Sequence, residues 1–157
     1  MTIFFTLVLS ILLTGFMLWG SRKRQRLLRT IEVVTLPAVT ATQLENQRDI
    51  RVYLPPGYRE RERGRFEVLY INDGQEYDAL GLHSTLARLS AAGRIRPIIV
   101  VAIPTNENRL HEYGTAVAAN DLGLGTLAQA YTLFVAHELM PLIDETFRTM
   151  PGAGLLG

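Results

Sequence analysis

Apolar residues along this chain change their spacing several times, and each change predicts a different kind of element. The first twenty, MTIFFTLVLSILLTGFMLWG, carry no charged side chain, and about 20 apolar residues is what a helix needs to cross a bilayer core. From Ile31 the runs become short and strand-like. Ile31 to Val39 and Asp49 to Leu54 flank the polar TATQLENQR, which predicts two antiparallel strands of a hairpin or meander. PPGY, Pro55 to Tyr58, ends the second, because proline cannot donate to a strand ladder. The continuous run Val68 to Ile71 predicts a buried strand. Within Leu80 to Ala92, residues Leu82, Leu86, Leu89 and Ala92 recur at helical spacing, with Gly93 as a C-terminal stop. IRPIIVVAIP, Ile95 to Pro104, shows no alternation, the mark of a strand buried on both faces. Strand, helix and strand at this spacing predict a βαβ unit. A last helix, Leu127 to Phe147, presents one apolar stripe, and Pro141 should bend it.

Composition narrows the classes. The chain has 157 residues, 48% hydrophobic and 20% charged, so it folds and holds one modest core. Sixteen Lys and Arg against fifteen Asp and Glu leave a net charge of +1, which gives no electrostatic case for nucleic acid. With no cysteine, disulfides, thiolate metal sites and cysteine nucleophiles are excluded. The alternating RERERGR, Arg59 to Arg65, predicts a solvated loop. Directly after the apolar N-terminus stands SRKRQRLLR, with Arg22, Lys23, Arg24, Arg26 and Arg29. Charges that follow the apolar stretch, with no A-x-A before them, favour an uncleaved single-pass membrane anchor over a signal peptide. The positive-inside rule then puts the basic cluster and the rest of the chain in the cytoplasm. The predicted organisation is an anchor over residues 1–21, a basic juxtamembrane segment over 22–30, and an α/β domain over 31–157.

Ligands of parallel sheets sit beyond the carboxyl ends of the strands. INDGQ, from Ile71, and PTNENRLHEYGT, from Pro104, occupy two such ends and are candidate walls of one site. The polar, glycine-bearing loop that continues through AANDLGLGT is long enough to be functional. In order, RDIRVYLPPGY, VLYINDGQEYD, AAGRIRPIIVVAIPTNENRLHEYGT and AYTLFVAHELMPLIDETFRT resemble the esterase family of α/β-hydrolases that includes enterochelin esterases and esterase D-like enzymes. The resemblance covers Arg48 to Thr149. It implies a mostly parallel sheet with helices on both faces, a Ser-His-Asp triad, no cofactor, and a small-molecule ester as substrate. It also implies that the loop after the third strand lends a backbone N–H to the oxyanion hole. Asp73, Gly74 and Gln75 fall in that loop, where a plain Asp-Gly turn is the alternative. By the same resemblance Arg109 holds a carbonyl or acidic group of the substrate, or is a surface charge. Tyr113 packs beside it, and Glu112 is expected as its structural partner.

The rest of the constellation is missing. None of Ser10, Ser21, Ser84 and Ser90 stands in G-x-S-x-G, and His83, His111 and His137 all precede the point where that motif belongs. His137-Glu138 lacks the second histidine of a zinc protease. No catalytic or metal-binding residue is therefore assigned. MPGAGLLG, Met150 to Gly157, reads as a terminus rather than a strand leading to an elbow. The expectation is an incomplete α/β-hydrolase sheet, the N-terminal half of an esterase, inactive as it stands and leaving Ile98 to Ile103 an unpaired apolar edge. The alternatives are a non-catalytic membrane-anchored binding module on the same fold, or an acyl or mycolyl transferase.

Overall fold

The computed structural model describes residue 15 and residues 30–114, 119–150 and 154–156. The expected anchor and basic segment lie outside these apart from residues 15 and 30. Among the described residues no helix is long and apolar enough to cross a membrane. Strand β1 (Glu32–Ala41) turns through a 3-10 segment (Thr42–Leu44) into β2 (Asn46–Leu54). After them come β3 (Glu67–Ile71), α1 (Leu82–Ala91), β4 (Ile98–Ala102) and the short α2 (Arg109–Glu112). A long helical stretch follows, built of α3 (Ala128–Leu133), a π-helical turn (Phe134–Leu139) and α4 (Met140–Thr146). Strand β5 (Gly154–Leu156) closes the series. The π turn stands where Pro141 was expected to disturb the helix. Proline has no N–H to donate, and its ring would meet the carbonyl four residues back in a regular α-helix. A wider turn just before it relieves both conflicts.

The strands form one sheet in the order β1-β2-β4-β3-β5. It is mixed, not mostly parallel. β1 and β2 pair antiparallel, as expected of a hairpin, and β2 also pairs antiparallel with β4. β3 is parallel to both β4 and β5. The physical reason is connection length: four residues between β1 and β2 can only reverse the chain, whereas a parallel neighbour needs a crossover such as α1. The predicted βαβ unit is thus real and consists of β3, α1 and β4.

Two expectations about edges are corrected. β4 is not an apolar edge, because the chain inserts it between β2 and β3, where Val101 pairs with Val52 on one side and Tyr70 on the other. MPGAGLLG is not merely a terminus either, since Gly154 to Leu156 pairs with Leu69 to Ile71 in parallel. Helices do cover both faces of the sheet, as predicted. Ile50, Val52, Val68, Tyr70, Ile99 and Val101 pack against Tyr131, Phe134, Leu139 and Ile143 of the long helical stretch. On the opposite face a thinner layer joins Tyr53, Val100 and Ala102 to Leu82 and Leu86 of α1. Period-two alternation along β4 divides its residues between the two layers.

Candidate active site

Both loops singled out in the sequence leave the carboxyl ends of neighbouring parallel strands, β3 and β4, and the structure brings them into contact. The turn after β3 is pinned from below by backbone. Gly74 donates its N–H to the Ile103 carbonyl at 2.8 Å. A Cβ on Gly74 would lie 2.7 Å from the Ala102 carbonyl carbon and 2.9 Å from its oxygen, closer than side-chain carbons come to backbone. Glycine is required here because the turn lies against the backbone that leaves β4. Asp73 takes a left-handed conformation, φ 57°, a region where Asp is several-fold enriched among non-glycine residues.

Side chains then staple the turn to the second loop. Thr105 donates its N–H to Gln75 Oε1 at 2.9 Å, and Gln75 Nε2 donates to Thr105 Oγ1 at 3.1 Å. Thr105 Oγ1 donates to Asp73 Oδ1 at 3.2 Å. Arg109, at the start of α2, clasps Asp73 with two bonds, Nε to Oδ1 at 2.6 Å and Nη2 to Oδ2 at 2.8 Å. The guanidinium beside it holds the Asp73 carboxyl below the usual carboxylate range. Arg109 lies over the Tyr113 ring, 5.2 Å from its centroid, and the Tyr113 hydroxyl accepts the Asp73 N–H at 3.2 Å. Burial pushes the Tyr113 phenol pKa up. From β2, Arg51 donates to the Gly74 carbonyl at 3.0 Å and pairs with Asp78.

All five residues singled out from the sequence therefore meet in one place. Asp73, Gly74 and Gln75 form a single turn, and Arg109 and Tyr113 brace it. The expected partner of Arg109 is corrected: Arg109 pairs with Asp73, while Glu112 is buried and receives both Nη atoms of Arg48, the Nη1 bond being 3.0 Å. Arg48 also donates to the Pro104 carbonyl at 3.0 Å, so it ties β2, the exit of β4 and α2 together. No local pattern announces this pair, since Arg48 and Glu112 are 64 residues apart.

The consequence for the backbone is specific. The Asp73 and Gly74 N–H groups are both engaged, whereas the Gln75 N–H has no hydrogen-bond partner among the described residues. It sits in the loop between a third strand and the following helix. Earlier in the same loop, Asn72 joins Tyr131, Val135 and Met140 in lining a concavity of about 120 Å³ with mostly apolar walls. The Tyr131 hydroxyl donates to Asn72 Oδ1 at 2.6 Å there. Beyond α2, the Leu127 N–H donates to the His111 carbonyl at 3.0 Å. His83 contacts the Ile31 carbonyl and His111 the Thr126 hydroxyl. No three His, Asp or Glu residues among those described converge as a metal site would require.

Solved structures with a similar fold include a serine hydrolase and two esterases. An IroE-like serine hydrolase from Shewanella oneidensis is 27% identical, with a TM-score of 0.61 over 81% of this chain and 42% of that one. A ferulic acid esterase is 21% identical, TM-score 0.60, over 80% and 47%. The enterobactin esterase of Shigella flexneri is 16% identical, TM-score 0.57, over 82% and 30%. The chain thus spans less than half the length of each of these structures. No curated protein sequence matches it. Residues 41–157 match the model of the Esterase family, described as "Putative esterase", and the chain belongs to that family.

Proposed function

We propose that these residues build the oxyanion side of a carboxylic-ester hydrolase site of the Ser-His-Asp type. The observation that carries it is the Gln75 N–H, the one amide of the turn without a partner among the described residues, at the carboxyl end of β3. A tetrahedral intermediate needs preorganised donors aimed at its oxygen, and a turn held by Ile103, Thr105, Tyr113 and Arg109 cannot reorganise cheaply. Arg109 acts by fixing Asp73; its fork is occupied, so it braces the turn rather than gripping substrate. The concavity beside Asn72 is the place for part of the acyl group. The strand Gly154–Leu156, alongside β3, runs toward the point where a nucleophile would have to stand.

Residues 1–157 contain no G-x-S-x-G. We infer that this stretch by itself turns over no ester, since an oxyanion hole without nucleophile and base retains only transition-state binding. Linear release of p-nitrophenol from an ester by the purified chain, lost in a Gln75 variant, would contradict this. The oxyanion role has its own test. An arylphosphonate, which mimics the tetrahedral oxyanion, should shift the amide resonance of Gln75 more than those of Asp73 and Gly74. An equal shift at all three, or none, removes the role. For the N-terminus we propose the single-pass anchor over residues 1–21 and the basic segment over 22–30, with the hydrolase domain on the cytoplasmic side.

A further inference from the structure

The two ends of the sheet differ in charge far more than the net +1 implies. At the carboxyl end the three cations are engaged: Arg48 by Glu112, Arg51 by Asp78 and Arg109 by Asp73. Glu76, Glu107 and Asp121 add exposed negative charge around them. The opposite end collects the loops that precede β3, β4 and β5, because those strands run parallel. Four arginines stand between Arg59 and Arg65 in the first of these loops, and Arg94 and Arg96 in the second. Glu32 and Glu67 there pair with Arg59 and Arg96, and Glu60 and Glu62 alternate with the loop arginines. Arg61, Arg63 and Arg94 have no acid within ion-pair distance among the described residues. Arg61, Arg65 and Arg96 border a groove of about 290 Å³, with the exposed side chain of Met150 at its margin.

Topology brings the start of β1 to that same end. β1 is antiparallel to β2, and β2 to β4, so β1 starts where β3 and β4 start. The Arg59–Glu32 contact at 2.7 Å confirms this placement. Arg29, last of the basic cluster, precedes Glu32 by three residues, a reach of at most about 10 Å. The basic residues Arg22 to Arg29 therefore belong to the chain that is covalently joined to the end carrying the loop arginines.

We propose that this arginine-bearing end docks on the anionic lipid headgroups of the membrane that the N-terminal segment anchors, and that the candidate active site faces away into water. The inference rests on the anchor reading but not on esterase chemistry. Juxtamembrane basic residues are attracted to anionic leaflets within a Debye length, about 10 Å at 0.1 M salt. The acidic carboxyl end is repelled by the same surface. Docking thus orients the domain as well as holding it.

The absence of cysteine allows single labels on the full chain. Ala92→Cys, exposed beside Gly93, marks the arginine end, and Leu122→Cys, 82% exposed, marks the site end. Each is labelled with an environment-sensitive dye, and the chain is reconstituted with vesicles bearing headgroup quenchers, either pure phosphatidylcholine or about one-third phosphatidylglycerol. The expected result is quenching at position 92 only, in the anionic vesicles only, reversed by raising the salt from 0.1 to 0.5 M. Changing Arg61, Arg63 and Arg94 to Gln should weaken the docked state roughly fivefold for each arginine, with vesicle flotation unchanged. Equal quenching of both labels, or quenching indifferent to lipid charge, overturns docking while leaving the anchor intact. Flotation with anionic vesicles alone, with the label at 92 quenched, keeps docking and removes the anchor. Flotation with neither kind removes both.

Discussion

Two arginine–carboxylate pairs lie within one loop cluster at the carboxyl end of the sheet, and they are opposite in kind. Arg48 and Glu112 have side chains 4% and 0% exposed, whereas Arg109 and Asp73 are 49% and 27% exposed. Both pairs are forked, so local geometry does not distinguish them. Burial does. A buried pair organises the fold, because removing either member strands an uncompensated charge in low dielectric. A pair open to water contributes little to stability and is free to serve position instead, here the left-handed turn at Asp73. The same chemistry is scaffold on one side of α2 and brace on the other.

The largest expected effect breaks the buried pair. Glu112→Ala leaves the Arg48 guanidinium without its carboxylate beneath the Tyr131 and Phe134 rings, whose centroids lie 5.8 and 5.7 Å away. The cost should be about 3–5 kcal/mol, read as a fall in the urea midpoint with unchanged slope. Replacing both members together, Arg48→Met with Glu112→Leu, should recover most of that loss. If the double variant is as unstable as the single, the pair does more than cancel its own burial.

Next in size is Gly74→Ala, which asks what really holds the turn. If backbone contact with Ala102 fixes it, the added methyl should cost about 1–3 kcal/mol as an overpacked contact. If the Arg109 brace is what matters, the thermal midpoint should hardly move. Tyr131→Phe is smaller and probes the link between the two pairs, since this ring lies by Arg48 while its hydroxyl holds Asn72. Loss of about 1 kcal/mol is expected, with amide exchange quickening at Asn72 and Asp73 but not at Glu112.

How far these features were legible depends on whether their signals are local. The apolar run before β3 and the unbroken Ile-Val run of β4 announce buried strands, and Leu82, Leu86 and Leu89 announce a helix. INDGQ and NRLHEYGT could be assigned to one site because parallel strands put their carboxyl ends together. Spatial order was not legible. Nothing in IIVVA says that it inserts between β2 and β3, and a three-residue strand, GLL, is too short to show a period. Nor could the sequence choose between Asp73 and Glu112 as the partner of Arg109. Glu112 is three residues away on a helix, the usual neighbour, but α2 turns it inward to Arg48.

The smallest predicted effect isolates the exposed pair by pH. The Asp73 pKa is lowered in the folded state, chiefly by its bond to Arg109. A depressed carboxylate adds stability above its unfolded pKa, near 3.9, and loses it as pH falls through the folded value. Arg109→Gln should therefore lower the melting temperature slightly at pH 7. The gap from the unaltered chain should close as pH drops below about 4. In the same variant the Asp73 carboxyl resonance should titrate at higher pH. A gap that persists unchanged to low pH would mean that Arg109 acts by packing on Tyr113, 5.2 Å away, rather than through charge. Asp73 would then keep its left-handed turn without the brace, and the Gln75 N–H would owe its position to Thr105, Ile103, Tyr113 and Arg51.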